Sequence, residues 1–502
     1  MIRAALMAVA ALAAIPPAVG AQGVGVVWQK PADGIRAAAD LRAIRDLGLT
    51  AVRTQVWEDA ELSDLADTLG IRVLMELEVA FPTASVLADS MEWMRRTVGR
   101  VGRSGRAFAV GLARAPDTRD PEVCRLLREV AGESSLPTYF VSAYRSPDPC
   151  ESVVDFVLYR QAPGPASGAH LADVGRPVRS EGREQARYLA EVLPGRASAD
   201  AWTFLYRWAD AGPADFAPRP LGERWGIKAA DGSPRPAVEV VRGVLTAGQT
   251  VFSQSPPDAD NRQGSGYVLA GWVMILILLA IVVRTPRFAT MATRYFTAHG
   301  IYRTAVSDGR DPLLAQSILL LLTVSLLVGL VGGRAVSLLD HHPGFSAVWH
   351  WSGPRLRAAL DYLVAEPALL AGSIAAVALV ASVIWMVAWH AVVARTRGAR
   401  FSQVMVLSIW PRWPVLLTLP VIMLVPHSET AIVAATGWIL LSGVWSTART
   451  NLDAGRVLRP SPLFALVLWL LSPAVIGTVA ALAVLAGSTE KLAFLRGLAL
   501  QP

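Results

Sequence analysis

Residues 169–189 read AHLADVGRPVRSEGREQARYL. Ala169–Val174 has the make-up of a short strand, Gly175–Gly182 that of a loop, and Arg183 opens a helical pattern. The strand carries an acid, Asp173, near its carboxyl end. Similar units run upstream. Strand-type stretches are Gly23–Trp28, Thr50–Val56, Arg72–Val79, Ala107–Leu112, Thr138–Ser142 and Val153–Tyr159, and Ala201–Tyr206 follows. Helical patterns fall at Ile35–Leu47, Asp64–Leu69, Ser90–Val101, Pro121–Ala131 and Arg183–Leu193. Strands alternating with helices predict parallel βαβ units. Eight units in roughly 220 residues fit a (β/α)8 TIM barrel. An open doubly wound sheet would want a Gly-rich phosphate loop after the first strand, and Gln29-Lys30-Pro31-Ala32 is not one. In a barrel, residues at the carboxyl ends of strands line the mouth, so Asp173 is either a working acid or the remnant of one.

Three further stretches carry a family likeness: Asp40-Leu41 to Arg53, Leu62 to Ile71, and Arg72-Val73-Leu74-Met75-Glu76-Leu77-Glu78-Val79. With Trp225-Gly226-Ile227, Asp231-Gly232 and Pro234-Arg235-Pro236-Ala237, they make residues 22–245 resemble barrel glycoside hydrolases of the retaining type, families 2, 5 and 17 among them. The resemblance implies two carboxyl groups about 5–5.5 Å apart, an acid/base at the end of strand four and a nucleophile at the end of strand seven. The family's Asn-Glu-Pro is here Arg114-Ala115-Pro116, so Ala115 stands where the acid/base belongs. Alanine cannot protonate a leaving oxygen, a loss of roughly 10²–10⁴-fold. The family's Glu-x-Gly-x-Pro is here Asp173-Val174-Gly175-Arg176-Pro177, followed by Gln185-Ala186-Arg187-Tyr188-Leu189. Aspartate is one methylene shorter, and a misplacement of about 1 Å costs on the order of 10²-fold.

Candidate catalytic residues are therefore Asp173, Glu78 and Asp117. Period two puts Glu76 and Glu78 on one face of the third strand, and either could instead pair with a buried arginine such as Arg53. Glu58 and Asp210 follow the second and eighth strands. Strand-end aromatics suit a sugar ring: Trp28, Trp57, Tyr144, Tyr206 and Trp208, with Glu76, form the candidate substrate-binding set, and the alternative for the aromatics is core packing. Cys124 and Cys150 are the two cysteines; an oxidising compartment permits a disulfide, which spacing leaves open. No metal spacing or cofactor motif occurs, so neither is expected. His341, His342 and His350 with Asp340 read as a solvated loop.

The halves of the 502-residue chain differ. Residues 1–21 have the basic end, apolar core and small-residue site of a signal peptide. Residues 246–266 read as a linker and 488–502 as a tail. Between them, 267–487 reads as an all-α membrane domain of about six spans: Tyr267–Val283, Leu313–Val331, Pro367–Val393, Val415–Val425, Thr430–Val444 and Leu463–Ala486. The Val415 and Thr430 pieces could instead form a re-entrant hairpin. Arginines gather at 284–310, 395–412 and 449–459, which places these loops in the cytoplasm and the barrel outside. Arg294–Arg310 reads as an interfacial helix or a basic loop. The segment from Arg397 to Pro414, with the spans that follow, weakly resembles Yip-type membrane domains. Span centres lack charge, and Arg412 falls just before the fourth, which argues against an ion-coupled transporter. The net charge of +7 follows the loop arginines, and nucleic acid is not an expected partner.

The expected protein is a multi-pass component of a bacterial inner membrane with a periplasmic, glycoside-hydrolase-like barrel. It would bind or remodel an envelope or exported polysaccharide, with weak or lost hydrolase activity. Its partners would be that polysaccharide or oligosaccharide, the lipid bilayer and other envelope membrane proteins. The alternative is a non-catalytic sugar-sensing or scaffold subunit of an export or assembly complex, and a third reading is a transporter with an accessory exported domain.

Overall fold

The computed structural model describes residues 23–499 apart from 145–146, 161–168, 179–181, 198, 211–223, 253–260, 309–313, 340–342, 352, 398, 426–427 and 487–488. The expected signal peptide, part of the linker, and His341 and His342 lie outside the described residues. Eight strands follow in order: β1 (Val24–Val27), β2 (Ala51–Gln55), β3 (Arg72–Glu76), β4 (Ala109–Arg114), β5 (Thr138–Ser142), β6 (Phe156–Tyr159), β7 (His170–Val174) and β8 (Thr203–Leu205). Each pairs in parallel with the next, and β8 returns to β1 with Phe204 opposite Gly25. Closure leaves no edge strand. Side chains alternate: Val27, Leu74, Tyr139, Leu158 and Phe204 fill the interior, while Val26, Val52, Val73 and Val110 face the helices.

Helices α1 (Gly34–Asp46), α2 (Ala60–Thr68), α3 (Ala84–Ser104), α4 (Pro121–Ala131), α5 (Arg183–Ala197) and α6 (Pro236–Ala247) pack outside. Asp33, Asp59 and Asp120 cap the first, second and fourth with side-chain carboxylates. The expected regular alternation fails after β5, where a single 3-10 turn, Glu151–Val153, replaces a helix. A disulfide joins Cys124 of α4 to Cys150 beside that turn, with Cα atoms 5.2 Å apart. It ties down the one outer stretch that lacks a helix of its own.

The second half is helical: α7 (Asn261–Arg284), α8 (Pro286–Thr297), α9 (His299–Asp308), α10 (Leu314–Leu339), α11 (Pro343–Trp351), α12 (Pro354–Ala365), α13 (Pro367–Arg397) and α14 (Phe401–Ile409) come first. A 3-10 stretch, Trp410–Thr418, leads into α15 (Leu419–Leu424). Then come α16 (Glu429–Val457), α17 (Pro462–Leu470), α18 (Pro473–Ala486) and α19 (Glu490–Ala499). Four helical runs are long and apolar enough to cross a membrane: Leu314–Leu338, Pro367–Ala394, Phe401–Leu424 and Thr430–Val457. Helices α17 and α18 meet at a 53° bend and together pass the same test, and Val268–Arg284 is a shorter apolar helix.

Two expectations change here. The fourth expected span, Val415–Val425, belongs to a longer run that starts at Phe401, so Arg412 lies inside it rather than before it. The stretch Arg294–Arg310 falls on two helices, α8 and α9, that break at Ala298. Their aromatic side pairs with the 3-10 stretch: Tyr295 and Tyr302 each meet Trp410, and Phe296 meets Trp413. Helices α10 and α13 cross closely at Gly329 and Gly333. A Cβ on Gly329 would stand 2.3 Å from the Ala371 carbonyl oxygen, so the crossing depends on small residues.

Candidate functional site

The barrel mouth holds a compact group of charges. Arg53 ends β2, Glu76 ends β3, Arg114 ends β4, Arg160 follows β6, and Asp173 lies on β7. Arg114 donates to both Asp173 oxygens at 2.8 and 2.6 Å, and Arg53 donates to Oδ1 at 2.9 Å. Arg160 Nε stands 3.2 Å from Asp173 Oδ2. Glu76 lies between the same arginines, 2.7 Å from Arg53 Nε and 3.5 Å from Arg114 Nη1. The Tyr139 hydroxyl donates to Glu76 Oε1 at 3.2 Å. Gly111 makes this possible. A Cβ there would stand 2.8 Å from Glu76 Cγ and 2.8 Å from Tyr139 Cζ.

Local irregularities aim the two key side chains. The β4–β5 register shifts between Gly111 and Arg114, and the β7–β8 register between Leu171 and Val174. Leu112 and Ala113 therefore both face the outer core, and Arg114 turns inward. On β7, Ala172 points inward and Val174 outward, with Asp173 turned onto the arginines between them.

Three guanidinium groups face two carboxylates. Burial would raise the Asp173 carboxyl, but Arg114, Arg53 and Arg160 outweigh it and hold it well below the ordinary carboxylate range. Burial alone would lower Arg114; Asp173 and Glu76 push it above its ordinary value instead. Arg160 is the less favoured cation. Burial pulls it down against the support of Asp173, and its Nη1 is buried without a hydrogen-bond partner.

The other expected site residues are scattered. Glu78 is exposed: β3 stops at Glu76, and a tight turn, Val79 N–H to the Leu77 carbonyl, carries Glu78 away from its expected face. Asp117 is half-buried at the rim, where burial raises its carboxyl against a 3.0 Å hydrogen bond from Tyr144. Trp28, Trp57 and Trp208 belong to the layer between strands and helices. Trp28 donates to Asp40 at 3.1 Å and Trp57 to Ser63 at 3.1 Å, so both indoles serve packing. Tyr206 is buried at the mouth, edge-on to Trp225. Asp210 is held by Arg235 and the Gly226 N–H. Arg160 and Tyr139 escaped the sequence reading. The visible signal was one arginine at the end of each of two inward strands, Arg53 and Arg114. Among the described residues no His, Cys, Asp and Glu group is arranged to hold a metal ion.

The rim beyond β3, β4 and β5 is apolar. Phe81, Ala115, Ala143 and Tyr144 form one buried cluster with Ala347 of α11 and Phe494, Leu495 and Leu498 of α19. Phe81 and Ala115 both have left-handed backbone, φ +50° and +53°. An L residue in that region carries strain of roughly 1–2 kcal/mol, so the packing around each must hold it there. The α3 cap Thr83 makes no side-chain cap bond; Glu490 of α19 replaces it and accepts from the Ser85 N–H at 2.9 Å. A carboxylate at a helix N-terminus also meets the positive end of the helix dipole. The barrel thus docks on α11 and α19 through its own mouth loops.

No family model and no curated protein matches this chain. Its barrel is similar to several solved glycosidases. A β-galacturonidase of glycoside hydrolase family 2 from Eisenbergiella tayi is 16% identical with a TM-score of 0.38, covering 46% of this chain and 52% of that one. A β-glucuronidase from Ruminococcus gnavus is 13% identical at 0.38, covering 45% and 50%. One from Dictyoglomus thermophilum is 13% identical at 0.38, covering 46% and 51%. The chain spans about half the length of these enzymes. Likenesses this distant carry no argument for activity, and the barrel rests on its own closed strand ladder.

Proposed function

We propose that this chain is a membrane-anchored, glycoside-hydrolase-like protein that binds a saccharide at its barrel mouth without hydrolysing it. The carrying observation is the state of the two mouth acids. Asp173 and Glu76 are locked into shared arginine contacts, and the place of an acid/base is Ala115, buried in an apolar contact. Glycoside cleavage needs one carboxyl group free to attack and another able to give a proton. A carboxylate bound by three guanidinium groups is a poor nucleophile, and alanine has no proton to give. The surplus guanidinium charge favours an acidic saccharide, because Arg160 keeps one buried donor unused.

The anchor reading rests on the apolar helices and on the arginine-rich turns between them. Counting Val268–Arg284 and the bent α17–α18 pair as spans puts α11, α12 and α19 on one side of the bilayer. That is the side on which the barrel packs, and the signal-like amino terminus makes it the periplasmic side of a bacterial inner membrane.

The test uses the full chain in detergent with acidic uronate-containing glycans beside neutral glucans and mannans. Binding to the acidic set, weakened in Arg160→Gln, with no sugar released, is the expected result. Release of sugar by the wild-type chain that disappears in Asp173→Asn would sink the non-hydrolytic reading. Equal binding of neutral and acidic glycans would remove the role given to Arg160.

A further inference from the structure

Arg412 lies near the middle of the run Phe401–Leu424, among helices apolar enough to span a membrane. It lines a cavity of about 200 Å3 bounded by the central parts of α10, α13 and α16 and by the bend between α17 and α18. Its guanidinium donates to the Ser382 hydroxyl at 2.6 Å and stands 6.0 Å from the Trp385 ring. No carboxylate lines the cavity, and no ion pair holds Arg412 among the described residues. A buried cation is costly unless it is paired, and a charge within apolar helices marks a functional site by default.

The other groups around the cavity also favour negative charge. Two chain breaks meet there, the 3-10 stretch that contains Arg412 and the 53° bend at Ser472. Helix α18 starts at that bend and turns its positive end toward the cavity. The Ser472 hydroxyl accepts from the Val475 N–H at 3.3 Å, and its own proton has no protein acceptor among the described residues. Ser446 and Thr447 add hydroxyls to the lining. Broken helices that point a half-helix N-terminus at the bilayer midplane are a known way to hold an anion.

The geometry points to an oxyanion site, with Arg412 as the paired cation and Ser472 and the start of α18 as donors. The ligand class is a phosphate, free or on a lipid. The cavity is below the roughly 300–1,000 Å3 of sites for larger ligands, so it takes a phosphate group and not a sugar ring. A guanidinium fork matches the oxygens of phosphate in two parallel hydrogen bonds. The inference rests on reading these helices as spans and is independent of what the barrel binds.

The experiment titrates the purified full chain in detergent with inorganic phosphate and, separately, with a short-chain phosphatidic acid, by calorimetry. Binding of either probe is expected, weakened at least about tenfold in Arg412→Gln, as for loss of a charged hydrogen-bond partner. Binding of inorganic phosphate identifies a free-anion site; binding of the lipid alone identifies a headgroup site. Arg412→Lys should keep part of the affinity, and Ser472→Ala should lower it severalfold in a folded protein even if Arg412→Gln fails to fold. Failure of the folded wild type to bind either probe overturns the inference. So does wild-type affinity in Arg412→Gln, or in both Arg412→Lys and Ser472→Ala where Arg412→Gln does not fold. Release of the chain from membranes by alkaline washing would overturn the span reading instead, whatever the titration shows.

Discussion

Arg114 and Ala115 are neighbours in the chain and belong to two different regions. Arg114 turns into the barrel and clamps Asp173; Ala115 turns outward into the apolar contact with α11 and α19. One side of the mouth is a charge cluster whose acids are already neutralised, and the other is a docking face that excludes charge. The difference shows how such a mouth can keep its shape while losing hydrolysis. The position of the nucleophile becomes a strut, and that of the acid/base becomes a packing contact.

The largest break in that contrast is Asp173→Ala. It leaves Arg53, Arg114 and Arg160 with Glu76 alone. Removing one partner of a buried ion pair costs about 3–5 kcal/mol, and chemical denaturation of the barrel should show a loss of that order. A midpoint close to wild type would mean that the arginines do not depend on Asp173. The reciprocal substitution, Ala115→Glu, puts a carboxyl into the docking cluster without a partner. It should restore no hydrolysis and should weaken docking by roughly 1–3 kcal/mol, seen as faster hydrogen exchange in α19. Sugar release by this variant would count against the neutralised state assigned to Asp173.

A smaller effect is expected from Glu490→Gln. It removes the charge from the cap on α3 while keeping an acceptor oxygen. The expected loss is up to about 1 kcal/mol, read as reduced exchange protection at the Ser85 amide. No change there would mean that α19 docks through apolar contact alone.

The alternating strand and helix patterns made the barrel legible, because each strand has the same apolar, bounded form. The missing acid at Ala115 was legible too, from the Pro116 beside it. The arrangement of the mouth was not. Glu78 was placed by period two, but the pattern ends with the strand at Glu76 and a turn follows. Arg114 and Asp173 owe their aim to register shifts on β4 and β7, which leave no mark in hydrophobic alternation. Trp28, Trp57 and Trp208 were read as sugar platforms from their places at strand ends. They are core, since a strand end supplies outer-facing positions as often as inner ones. The docking of residues 490–499 on the barrel was the least visible. It joins segments about four hundred positions apart, and a short amphipathic tail looks the same with or without a surface to meet.

The docking face also makes the contrast sensitive to acidity. His350 of α11 stacks on Phe81 across the contact, ring centres 5.9 Å apart, and Arg357 Nη1 lies 3.4 Å from its Nδ1. Burial and the Arg357 charge pull its pKa from 6.5 down to about 4. The docked state therefore keeps His350 neutral while the undocked ring takes a proton below 6.5, so docking is complete above that pH and weakens as pH falls toward 4. Glu490 works in the same direction at the lower end. Burial would raise it, but hydrogen bonds from Ser85 and Thr83 win and lower it below 4.5, so its contribution fades on protonation as pH falls through the lowered value. Down to pH 6 the expected loss is under about 1 kcal/mol, the smallest effect of the series. Exchange rates in α19 measured from pH 7.5 to 5, corrected for intrinsic exchange, should rise beyond the rates in β1, which lies away from the contact. His350→Phe keeps a ring against Phe81 and removes the proton, so it should flatten the part of the response between 6.5 and 5. An unchanged slope in that variant would move the acid sensitivity to Glu490 or to the charge cluster on the other side of the mouth.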